Sequence, residues 1–68
     1  MIAVSSSNIK AIDHDGTDLV VEYISGSKYR YKGVPTELFE ALKTAESKGR
    51  FMNAEIKGKF DYERILNE

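Results

Sequence analysis

Three short stretches of this chain carry residue types that could do chemistry. Asp13-His14-Asp15 sets an imidazole between two carboxylates, the pairing used in general acid–base catalysis. Lys28-Tyr29-Arg30-Tyr31-Lys32 alternates two phenol rings with three cations, which suits stacking on bases and contact with phosphates. Ser47-Lys48-Gly49-Arg50 joins a helix-capping residue to a glycine and two cations, which suits an anion. Lys57-Gly58-Lys59 is a smaller basic group.

Each stretch also has a plainer reading. A lone His in a turn between acids is ordinarily a solvated turn residue, and catalysis needs a positioned pair in a pocket. Read as a strand, residues 28–32 put Tyr29 and Tyr31 on one face and Lys28, Arg30 and Lys32 on the other. With a regular register the tyrosines share a face with Leu19, Val21 and Tyr23. Core packing is then the first expectation and a stacking platform the second. The three cations fall beside Glu22 on the open face, as solvated strand residues or as a phosphate strip. Ser47 reads first as an N-cap, and Lys57 and Lys59 as cations at a helix C-terminus. Arg64 is expected to pair with Asp61 or Glu63, or to anchor the tail.

Composition narrows the choice. The chain has 68 residues, enough for one domain (1–68) with a thin core. There is no Cys, so disulfides and thiol redox chemistry are excluded. One His cannot make a zinc site alone. No phosphate-binding glycine loop or nucleophile elbow is present. The expectation is a protein with no catalytic residues, no metal and no cofactor. The formal net charge is −1, but the charges are segregated. Asp13, Asp15, Asp18 and Glu22 precede the basic run 28–32, and Lys48, Arg50, Lys57 and Lys59 face only Glu55. The N-terminus lacks a signal-peptide pattern, and no apolar run approaches about 20 residues. A cytoplasmic protein with no membrane partner is expected, as a monomer or at most a weak homodimer.

These residues need elements to hold them. Asn8 to His14 reads as a strand in which a bulge lets Ile9 and Ile12 share a face. Asp15-Gly16-Thr17-Asp18 is a hairpin turn, and Leu19 to Ile24 a β-branched strand. Ser25-Gly26-Ser27 turns the chain into the third strand, Lys28 to Lys32. Pro35 opens a helix carrying Leu38, Phe39, Leu42 and Ala45 at helical spacing. Ser47 caps a second helix from about Lys48 to Lys57, and Gly58 stops it. Phe60, Tyr62, Ile65 and Leu66 read as an apolar tail folding back on the domain. The expected fold class is α+β: a three-stranded antiparallel meander followed by two short helices packed on one face.

One ordered set of residues runs nearly end to end. It comprises Ser6-Ser7-Asn8-Ile9 through Ile12, the Tyr29-x-Tyr31 pair and Val34-Pro35 before the helix. It continues with Ala45-x-Ser47-x-Gly49-x-Phe51-x-Asn53, Ile56-Lys57, Tyr62 and Arg64. In this set the chain resembles the KTSC domain family. That module occurs alone in bacterial and phage proteins and at the C-terminus of some lysyl-tRNA synthetases. His14 stands where relatives often carry an aromatic. The resemblance implies an α+β domain without established catalytic residues, for which RNA binding has been suggested.

The leading expectation is a non-catalytic module binding RNA or another single-stranded nucleic acid through Lys28, Arg30, Lys32, Lys48, Arg50, Lys57 and Lys59. The alternative is a protein–protein interaction module using the open sheet face around Val20 and Ile24.

Overall fold

The acidic turn holds itself closed and so sets the register of the sheet. Asp15 Oδ1 accepts hydrogen bonds from the backbone N–H of Thr17 at 3.0 Å and of Asp18 at 2.7 Å. Gly16 takes the positive φ, 97°, that the turn requires. The turn joins β2 (Ile9–His14) to β3 (Leu19–Tyr23) in the computed structural model, which describes residues 2–4 and 6–65. Ile12 faces Val21 and His14 faces Leu19 across this hairpin. The register slips between Ile9 and Ala11, so that Ile9 pairs with Tyr23 while Ala11 pairs with Glu22. This is the expected bulge, and it turns both Ile9 and Ile12 into the core, where they are buried.

β4 (Lys28–Tyr31) follows, with Leu19 opposite Tyr31 and Val21 opposite Tyr29. Helix α1 (Thr36–Thr44) and helix α2 (Lys48–Phe51) come next. α2 runs on into a π-helical turn, Met52–Ile56, closed by the Lys57 N–H to Met52 carbonyl bond at 2.7 Å. Ser47 caps α2, its hydroxyl accepting from the Arg50 N–H at 3.3 Å. Gly58, at φ 81°, carries the chain out of the helix. Pro35 stands just before α1 rather than inside its first turn, and its carbonyl accepts from Leu38 and Phe39.

Among the described residues the sheet has five strands, not the three expected. β1 (Ile2–Ala3) pairs with Ile12 and Ala11, and β5 (Tyr62–Ile65) pairs along β4. The spatial order is β1-β2-β3-β4-β5, with every neighbouring pair antiparallel. The tail folds back on the domain as expected, but as a strand that satisfies the outer edge of β4. Leu66 lies outside the described residues. β3 also stops one residue early: Ile24 sits in the following turn, 58% exposed, where Gly26 N–H bonds to the Tyr23 carbonyl. Lys32 likewise falls just past β4.

Both helical segments pack on one face of the sheet. Ile9, Ile12, Leu19, Val21 and Tyr31 from the strands meet Val34, Phe39, Leu42, Met52 and Ile56. Each large aliphatic side chain buried here contributes about 1.5–3 kcal/mol of apolar burial. The opposite face carries Val20, Glu22, Lys28 and Arg30 and, among the described residues, has no layer over it. Among the described residues no helix is long and apolar enough to cross a membrane.

Candidate nucleic-acid interface

Four tyrosines meet where β3, β4 and β5 reach the helix side. The register sets Tyr62 opposite Tyr31, and strand alternation brings Tyr23, Tyr29 and Arg64 to the same face. Tyr23 and Tyr62 both meet the Tyr29 ring edge-on, at centroid distances of 5.7 and 5.8 Å. Tyr62 lies tilted against Tyr31 at 5.5 Å. Together with Lys57 and Gly58 the four rings line a cleft of about 350 Å³.

Exposure grades along this row. Tyr31 is buried at 4%, Tyr23 and Tyr29 are half-buried, and Tyr62 is 61% exposed. Burial, and next the neighbouring Tyr23 hydroxyl, hold the Tyr31 hydroxyl above the usual phenol range. The Tyr23 hydroxyl is itself buried and makes no hydrogen bond among the described residues. The Lys57 ammonium lies 5.7 Å from the Tyr23 ring centroid, a cation–π contact. Arg64 donates to the Ser27 hydroxyl at 3.4 Å rather than pairing with Asp61 or Glu63.

A second depression, of about 560 Å³, opens beside this row and shares Tyr23 and Lys57 with it. Ser6, Ser7 and Asn8 form one wall, and α2 with its π-helical turn forms the other. The two walls face each other at Gly49, where a Cβ would make an ordinary van der Waals contact with the Asn8 amide nitrogen, 3.6 Å away. Ser6 holds its own wall, its hydroxyl accepting from the N–H groups of Asn8 and Ile9, both at 3.3 Å. The side chains of Ser7, Asn8, Arg50 and Asn53 make no hydrogen bond or ion pair among the described residues.

The seven basic residues singled out in the sequence fall on two faces. Lys28, Arg30 and Lys32 belong to the open side of the sheet. There Arg30 reaches Asp15 at 3.2 Å and Asp18 at 3.4 Å, while Lys32 lies 3.8 Å from Glu63. Lys48, Arg50, Lys57 and Lys59 belong to the helix side. Of these, Lys48 donates to the Ala45 carbonyl at 2.7 Å. The fold therefore joins the second group to the tyrosine row and separates it from the first. Tyr62 was not among the candidates drawn from the sequence, and the fold brings it into the row. Its signal was the alternation of Tyr62 and Arg64 in the tail.

His14 is not a solvated turn residue. Its ring is half-buried, stacks on Phe39, and is bonded at both nitrogens. The Gly16 N–H donates to Nδ1 at 3.2 Å, so Nε2 carries the hydrogen and donates to the Val34 carbonyl at 2.7 Å. An imidazole held this way braces the turn against α1. Among the described residues no three of His, Asp and Glu gather as a metal site would require.

The KTSC domain family model matches residues 5–60. The chain belongs to the KTSC domain family. The crystal structure of a KTSC domain protein from Yersinia pestis superposes with a TM-score of 0.83 at 41% identity, covering 93% of this chain and 92% of that one. A protein of Tsukamurella paurometabola is 40% identical over 62 residues, 88% of this chain and 92% of its own length. A lysine–tRNA ligase of Trichormus variabilis is 39% identical over 67 residues. This KTSC chain spans 96% of itself in that match but only 12% of the ligase.

Proposed function

We propose that this KTSC domain is a non-catalytic module that binds single-stranded RNA on its helix side. Bases stack on Tyr62 and Tyr29, and phosphates contact Arg64, Lys57 and Lys59. The observation that carries this reading is the ring of Tyr62, 61% exposed, at the open end of a tyrosine row that Lys57 adjoins. An exposed ring leaves a face free for a base, and stacking of that kind contributes about 1–3 kcal/mol per base. The likeness to lysine–tRNA ligases, proteins named for acting on a tRNA, favours RNA over DNA. Arg30 and Lys32 are already matched by carboxylates, so the strand cations contribute less than the helix-side ones.

The competing reading, a protein interface on the open sheet face, has less to stand on. Ile24 has left that strip and borders a depression with Tyr23 and Tyr29. Fluorescence anisotropy with a single-stranded RNA probe at low salt decides between them. Binding that weakens steeply with salt and is lost in Tyr62→Ala supports RNA. A folded protein that binds no RNA or DNA at low salt rejects it.

A further inference from the structure

The tyrosine row leaves the neighbouring depression unused. Its wall residues come from two segments remote in sequence, the loop before β2 and the α2 region. Lys48, Arg50 and Lys57 line it against a single acid, Glu46, which leaves a formal local charge of two positive. The Ser7 hydroxyl and the amides of Asn8 and Asn53 add uncommitted donors. At about 560 Å³ the space is in the size range of small-ligand pockets.

We infer that this depression binds the phosphate monoester of a nucleotide. A monoester carries a charge of about −1.5 to −2 and offers three acceptor oxygens. That matches the local charge, and the Ser7, Asn8, Asn53 and Arg50 side chains supply donors for its oxygens. A phosphodiester inside a strand carries a single charge and two free oxygens, and it must pass through rather than enter. The depression lies between two walls and is the larger of the two concavities, about 560 Å³ against about 350 Å³ for the tyrosine cleft beside it. The two share Tyr23 and Lys57, so a strand stacked on the row brings its end to the depression. The ligand is therefore either the 5′-phosphorylated end of an RNA or a free nucleotide. The first of these rests on the RNA reading above, and the second does not.

The test has two arms. In the first, 15N-labelled protein is titrated with adenosine 5′-monophosphate and with adenosine. The monophosphate shifts the backbone or side-chain amide signals of Asn8, Gly49 and Asn53, and adenosine leaves them in place. Arg50→Ala and Asn53→Ala, both at exposed positions, each weaken the monophosphate by about tenfold, the size of one lost hydrogen bond to a charged group. In the second arm, one RNA oligonucleotide is compared with a 5′-phosphate and with a 5′-hydroxyl. Preference for the phosphate that disappears in Arg50→Ala assigns the pocket to strand ends. Monophosphate shifts without any oligonucleotide binding assign it to free nucleotides and reject the tyrosine-row reading. Unshifted Asn8, Gly49 and Asn53 together with indifference to the 5′-phosphate overturn the pocket and leave the tyrosine row standing.

Discussion

The imidazole of His14 lies on the ring of Phe39, with centroids 5.1 Å apart and planes 17° from parallel. Lys43 approaches the same Phe39 ring, its ammonium 5.2 Å from the centroid. Phe39 is thus held between β2 and the last turn of its own helix. His14→Ala removes the stack and leaves the Val34 carbonyl without its donor. The expected cost is about 2–3 kcal/mol, from an aromatic pair and an orphaned buried acceptor. His14→Phe restores the stack alone and should recover part of that loss. Chemical denaturation of the two variants checks the order.

Tyr31→Ala should destabilise by about 3–5 kcal/mol, as other large buried aromatics do. A melt within a degree or two of the parent would show that Tyr31 is not core. Tyr31 also imposes an alkaline limit. Its folded-state ionisation is raised, chiefly by burial, so on raising pH the unfolded chain loses this proton first. The contribution is intact below about pH 10, the ordinary phenol value, and is lost above it. Tyr31→Phe should show a shallower alkaline decline in melting temperature.

Asp15 imposes the acid counterpart. The backbone N–H groups of Asp18 and then Thr17 hold its carboxyl below the ordinary value. The folded state therefore favours the carboxylate. Its contribution is present above about pH 3.9 and is lost as pH falls through the lower folded value. Asp15→Asn keeps an oxygen for the turn but removes the titration. A flatter acid limb of melting temperature against pH is expected, and an unchanged limb would remove Asp15 from the account.

Arg50 and Arg30 should behave differently towards RNA. Arg50 has no ion-pair partner among the described residues, whereas Arg30 bridges two carboxylates. With an RNA that carries a 5′-phosphate, Arg50→Ala should flatten the dependence of log affinity on log salt by about one unit. Arg30→Ala should leave that slope nearly unchanged while lowering stability. The reverse pattern would move the contact surface to the open face of the sheet.

Much of this fold is visible in the residues. The alternation of Leu19, Val21 and Tyr23, the bulge beside Ile9, the Ser47 cap and the Gly58 stop all appear as read. β1 does not announce itself, because Ile2-Ala3 has no period to detect. β5 is obscured because Tyr62 and Arg64 share one face while Glu63 and Ile65 share the other, so neither face reads as apolar. One wall of the depression is legible, since Ser47-Lys48-Gly49-Arg50 reads as a stretch that suits an anion, but Ser6 to Asn8 opposite it carries no such signal and meets it only in the fold. The ion pairs of Arg30 were hidden similarly: Asp15 and Asp18 reach it across a hairpin, not along one strand.

The strand order also has a bearing on assembly of the domain. β1 to β4 are successive along the chain, whereas β5 is synthesised after both helices. Until it docks, the outer rim of β4 offers unpaired amides and carbonyls to any extended segment nearby. Lys28, Arg30 and Lys32 alternate along that rim, and such charges discourage intermolecular strand addition. Charges so placed are expected to oppose aggregation during the interval before closure. A chain cut before Tyr62 should depend on that protection permanently, and neutralising Lys28 and Lys32 in it should turn a soluble fragment into fibrils.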